Sequence, residues 1–82
     1  MTYLIEMTSI AEQFGKCLSV QYQASKSLFL VKIDNVVHKV EHVRRSLLGQ
    51  GTTLEDACYD YVRKCHGSDL ENYVTNQVVH IK

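Results

Sequence analysis

The chain has 82 residues, enough for one domain and too few for two, and is expected to form a single α+β domain over 1–82. Nine Lys and Arg balance nine Asp and Glu, which removes the overall positive field of a dedicated nucleic-acid binder. At 45% hydrophobic and 22% charged, with no low-complexity tract, the composition excludes a disordered or fibrous chain.

Tyr3, Met7, Ile10, Phe14 and Cys17 recur at helical spacing, with Leu4, Ala11 and Leu18 on the same stripe. That pattern predicts an amphipathic helix. Gly15 is its natural stop, because glycine tolerates the left-handed conformation past a helix end. Ser9 with Glu12 forms a capping box and offers a second start. From Leu18 the period changes to two: Leu18, Val20, Tyr22 and Ala24 alternate with polar residues, predicting a half-buried strand. Ser25–Ser27 reads as a turn and Leu28–Ile33 as a second strand. Asp34–Asn35 predicts a tight hairpin, since both residues tolerate positive φ.

The valines at 36, 37, 40 and 43 predict a third strand over Val36–Val43. Val36, Val40, Val43 and Leu47 also fit a helical stripe, with Asn35 and Gly49 as caps. The valine content and the preceding turn favour the strand. Leu54, Ala57, Cys58, Tyr61, Val62 and Cys65 then lie on one face of a helix. Thr52 with Glu55 reads as its capping box, and Gly67 closes it. Leu70–Val74 and Val78–Ile81 read as short extended pieces, the last an edge strand. The economical assembly is a three-stranded antiparallel sheet packed on one face by two helices, in the order α-β-β-β-α with a short C-terminal strand.

No chemistry-bearing constellation emerges. His38 and His42 on a strand would stand roughly 13 Å apart, too far to share one zinc. Cys58 and Cys65 lie on the apolar helix face, separated by roughly 10 Å along the axis. Cys65 and His66 are adjacent, so on a helix they point about 100° apart and do not make a nucleophile–base pair. Gly49-Gln50-Gly51 lacks the frame of a phosphate loop and reads as a flexible turn. The expectation is a non-enzyme with no metal and no cofactor. The three cysteines follow no disulfide framework, and Met1–Met7 is apolar but short and lacks the basic start of a secretory leader, so a reducing cytoplasm is expected. No stretch approaches the roughly 20 apolar residues of a membrane span.

Charge is unevenly placed. Over residues 26–49, Lys26, Lys32, Lys39, Arg44 and Arg45 outnumber Asp34 and Glu41. Over residues 53–72, Glu55, Asp56, Asp60, Asp69 and Glu71 outnumber Arg63 and Lys64. Glu55, Asp56, Tyr59 and Asp60 form an acidic helix surface with one aromatic outside the apolar stripe. They are the candidate contact for a protein partner with a basic surface. Lys39, Arg44 and Arg45 form the alternative, a weak and salt-sensitive nucleic-acid contact.

Gly49-Gln50-Gly51-Thr52-Thr53-Leu54-Glu55-Asp56-Ala57-Cys58, continuing through Asp60-Tyr61 and Arg63-Lys64 to Gly67, resembles a pattern in small phage and prophage accessory proteins. In these a β-meander runs into a "G-x-T-x-E-E-A" helix. The same turn and helix resembles HicB-type antitoxins, and the α-β-β-β-α order is similar to the double-stranded RNA-binding domain. In that domain lysines open the second helix and hold phosphate; here Thr52, Thr53, Glu55 and Asp56 take their place. The resemblance implies an accessory protein of the host cytoplasm that acts by stoichiometric binding. It would inhibit a host defence or nucleic-acid-processing complex, as anti-CRISPR proteins do, or serve as an antitoxin-like regulator. Monomer and homodimer both stay open.

Removing divalent metal is expected to change nothing. A chelator should leave the melting temperature where it is, and a fall of several degrees would reopen the histidine pair.

Overall fold

The computed structural model describes residues 1–81. Its elements run α1 (Thr2–Gln13), β1 (Leu18–Gln23), β2 (Leu28–Ile33), β3 (Val36–Val40), β4 (Val43–Arg45), β5 (Gly49–Gly51), α2 (Leu54–Cys65), β6 (Asp69–Asn72) and β7 (Gln77–His80). The fold is mixed α+β, with two helices and two antiparallel sheets, one ordered β1-β2-β5 and the other β4-β3-β6-β7.

The first helix is continuous from Thr2, so the capping box at Ser9 does not restart it. It ends where glycine permits. Gly15, at φ +67°, donates its N–H to the Glu12 carbonyl and Lys16 donates to Ala11, which satisfies the last carbonyls. Cys17 and Leu18 therefore lie past the helix, and Cys17 is exposed. β1 and β2 form a hairpin, pairing Leu18 with Ile33 through to Gln23 with Leu28. Its inner face carries Leu18, Val20 and Tyr22 opposite Ile33, Val31 and Phe29.

Beyond β2 the expected order changes. Asp34–Asn35 does not make a hairpin: β2 pairs with β1 and β5, whereas β3 pairs with β4 and β6. The turn, with Asn35 at φ +64°, carries the chain from one sheet to the other. Val36–Val40 is a strand, but it belongs to the second sheet, and Glu41–His42 turn the chain before Val43. The third strand of the helix-bearing sheet is Gly49–Gly51, the segment whose composition reads as a flexible turn.

The reason lies in α2. A Cβ on Gly51 would sit 2.7 Å from the Ala57 nitrogen, and one on Gly49 would collide with the Ala57 carbonyl and lie 2.7 Å from Tyr61 Cβ. The helix backbone rests directly on this strand, which only residues without side chains allow. The outer edge of β5 is closed from above by the same helix. Asp60 Oδ2 accepts the Gln50 N–H at 3.0 Å and Lys64 Nζ donates to the Leu48 carbonyl at 3.0 Å. An exposed sheet edge is thereby removed as a template for pairing.

α2 is capped by Thr53 rather than Thr52, its hydroxyl accepting the Asp56 N–H at 3.0 Å. Ala57, Cys58, Tyr61, Val62 and Cys65 are buried, as the periodicity predicts. They join Met7, Ile10, Ala11 and Phe14 of α1 and Val31 and Ile33 of β2 in one cluster with Leu70. At the far end, buried Asn72 accepts from the Val74 and Thr75 N–H groups and shapes the β6–β7 turn. β7 is an edge of the second sheet.

Gly49→Ala is expected to lower unfolding stability by about 3 kcal/mol, because neither the helix nor the strand can yield without disturbing the core. Gly67→Ala, at φ +74° with open space around it, should cost only about 1 kcal/mol of backbone strain. Urea titration separates the two, and equal effects would mean that the helix does not rest on the strand.

Candidate protein-binding surface

The acidic residues of α2 have two different occupations. Glu55 lies in the first turn of α2, where a carboxylate suits the helix dipole. Its Oε2 accepts the Tyr3 N–H and its Oε1 the Leu4 N–H, each at 2.9 Å. These are orphan donors at the start of α1, which has only Met1 at its N-cap and no side-chain cap of its own. One carboxylate thus serves the N-termini of both helices. The Tyr3 N–H, followed by that of Leu4, holds the Glu55 carboxyl below its ordinary value against the opposing effect of burial.

Asp60 is also tied inward. Partial burial would raise its pKa, but Lys64, the Gln50 N–H and Arg63 outweigh that and hold the carboxyl low. Arg63 and Lys64 meet it at 2.6 and 2.8 Å. Glu55 and Asp60 therefore contribute charge to the surface while their oxygens hold the fold together.

Asp56 and Tyr59 are exposed on the outer side, and among the described residues neither side chain makes a hydrogen bond. Tyr59 is 45% exposed, and its ring meets that of half-buried Tyr3 edge to face at 4.8 Å. At the same end of the helix pair stand Met1 at 67% and Ile5 at 70% exposed. Sequence periodicity placed Tyr3 on the core stripe and passed over Ile5. The available signal was that Ile5 is apolar but out of phase with Tyr3, Met7 and Ile10. The surface is an aromatic pair beside Asp56, which stands three residues before Tyr59 on the helix, while Ile5 points away from Tyr3 on α1, among Leu4, Thr8 and Glu12.

The basic cluster is divided. β3 and β4 pair Lys39 with Arg44 and His38 with Arg45, so Arg45 falls on the opposite face of the sheet from the other two. Arg44 is engaged by Glu71, Nε to Oε1 at 2.6 Å and Nη2 to Oε2 at 3.3 Å. Glu71 is buried beneath it, and the guanidinium holds its carboxyl low. Lys39 lies opposite Asp69 on the next strand. The three residues do not make one phosphate-binding surface.

Among the described residues no group of three His, Cys, Asp or Glu side chains is placed to hold a metal ion. Burial raises the Cys58 thiol, and raises Cys65 to about 11, so neither is a thiolate at neutral pH. Among the described residues no helix is long and apolar enough to cross a membrane. Compared with family models, curated proteins and solved structures, the chain gives no match.

The held-down carboxyls set an acid limit. The folded pKa values of Glu55, Glu71 and Asp60 lie below ordinary values of 4.5 for Glu and 3.8 for Asp, so the unfolded chain binds protons first as pH falls. Their contribution is complete above those values and is lost as pH drops through the folded ones. Glu55→Gln turns an amide N–H₂ toward a backbone N–H and should lower the neutral-pH melting temperature by several degrees. The gap to wild type should close as the pH falls below the ordinary glutamate value of 4.5 and through the lower folded one; a gap constant with pH would mean the carboxylate charge is not what caps α1.

Proposed function

We propose that the chain acts by stoichiometric protein binding, with Tyr59 as the anchor of a surface shared with Tyr3 and Asp56. The observation that carries this is the half-exposed Tyr59 ring, held edge-on against Tyr3 on the outer side of two capped helices. A half-exposed aromatic held by a second ring suits an interface centre, where Tyr supplies area at small entropic loss. Asp56, with the charge of Glu55 and Asp60 behind it, steers the patch toward a basic site on the partner. A basic site of that kind is the phosphate-holding groove of a nucleic-acid-processing complex. The reading is of a small phage-type accessory protein that occupies such a groove and inhibits it in the host cytoplasm, as anti-CRISPR proteins do. Neither a cofactor nor a metal is required.

The test compares two exposed surfaces on the tagged protein, captured from lysate with and without nuclease. Tyr59→Ala and Asp56→Asn should keep the fold, with a loss of about 1 kcal/mol from the aromatic contact. They should weaken capture of a nuclease-resistant partner by at least about tenfold, or about 1.4 kcal/mol. Lys39→Glu with Arg45→Glu should leave capture unchanged. If the second pair abolishes activity and the first does not, nucleic-acid contact through the β3–β4 hairpin replaces this reading.

A further inference from the structure

The two sheets end in four edge strands, and they are not treated alike. β5 is closed by Asp60 and Lys64. β4 is three residues long and two of them are Arg44 and Arg45. β7 is four residues long, and beside it the Gln77 side chain is drawn to the Gln13 carbonyl at 2.6 Å. β1 is different. It has six residues, Leu18–Gln23, in unbroken register with β2. It contains no charge, no proline and no positive φ. Among the described residues no side chain bonds to its backbone, and α1 covers it little, packing instead on α2. Val20 is 47% and Tyr22 53% exposed, although both lie on the helix-bearing side of the sheet.

We infer that β1 is a homodimerisation strand, pairing antiparallel with β1 of a second copy about a two-fold axis at Val20. An axis normal to the sheet keeps the faces matched. Val20 then meets Val20 of the second copy, and Leu18 meets Tyr22, so the exposed apolar residues of both chains close over one another. Ser19 and Gln21 pair on the polar side. The result is one continuous six-stranded sheet with all four helices on the same side, the isologous arrangement expected of a two-fold dimer.

The charge pattern selects both the occupant and the register. Residues 17–25 are uncharged and are bounded by Lys16 and Lys26. A strand seeking a charged partner peptide would carry complementary charge, whereas an uncharged one meets its own copy without repulsion. Only registers that pair odd with odd and even with even keep the apolar face together. Among these, centring on Gln21 would set Lys16 beside Lys26 of the second copy, two like charges at each end of the seam. Centring on Val20 sets Lys16 beside Ala24 and Lys26 beside Phe14. The bounding lysines also discourage pairing with further chains beyond the dimer.

Sedimentation equilibrium on the full chain, from low to high micromolar, should give twice the monomer mass. Val20→Lys places two lysines across the axis and should weaken association by at least about tenfold, with an unchanged circular dichroism spectrum. Should that variant fold poorly, cysteine trapping reads the same contact. In a Cys17→Ser background, Val20→Cys should form a disulfide-linked dimer on oxidation, since opposed residues bring their Cα atoms to about 4.5–5.5 Å. Gln21→Cys in that background should link far less, its counterpart lying diagonally. A wild-type monomer at every concentration, or Gln21→Cys linking better than Val20→Cys, overturns the proposal.

Discussion

The Glu55 carboxylate is the constraint on which the arrangement depends. It stands in the first turn of α2 and accepts the Tyr3 and Leu4 N–H groups at the start of α1. An isolated helix of twelve residues is marginal in water, and this one brings no cap of its own. By serving both helix starts, the carboxylate fixes the two at a common end. The outer surface of the helix pair follows from that alignment: Tyr3 comes beside Tyr59, next to exposed Asp56. The same residue makes a charge that looks free from the sequence into a part of the fold.

A second constraint works from below. With Gly49 and Gly51 in β5, α2 lies on the strand backbone to backbone, and Asp60 and Lys64 reach over to bind the outer edge. Glu55 secures α2 to α1, and the glycine strand secures it to the sheet. The second sheet is then assembled from chain on either side of this unit, β3 and β4 before it and β6 and β7 after. Arg44 to Glu71 bridges the two contributions at 2.6 Å.

Both helices and the β1–β2 hairpin were legible because their signals are local: apolar period, a glycine stop at Gly15, alternation from Leu18. The buried face of α2 is read correctly from Ala57 to Cys65. What the sequence hid depends on distant residues. Gly49-Gln50-Gly51 has poor strand propensity by composition, and only the approach of α2 makes glycine the right residue there. Asp34–Asn35 advertises a turn but not which sheet receives the next strand. Glu55 and Asp60 lie on the outer side of an amphipathic helix, where a carboxylate usually meets only solvent. The donors for Glu55 lie 52 and 51 residues earlier in the chain. Arg44 likewise shows no sign in its neighbourhood of the carboxylate 27 residues ahead. Tyr59 was visible for the opposite reason: it is an aromatic out of step with the core stripe.

The Glu55 bridge would leave an unusual mark on a set of related sequences. Its donors are main-chain N–H groups, present at positions 3 and 4 whatever side chains stand there, short of proline. Sequence drift in the first turn of α1 leaves the bond intact, while almost any exchange at position 55 breaks it. Covariation, which detects contacts through paired substitutions, has no second partner to register. In a lineage of this fold the contact would show as a lone fixed acid beside a freely varying helix start, and its purpose would be invisible without the coordinates.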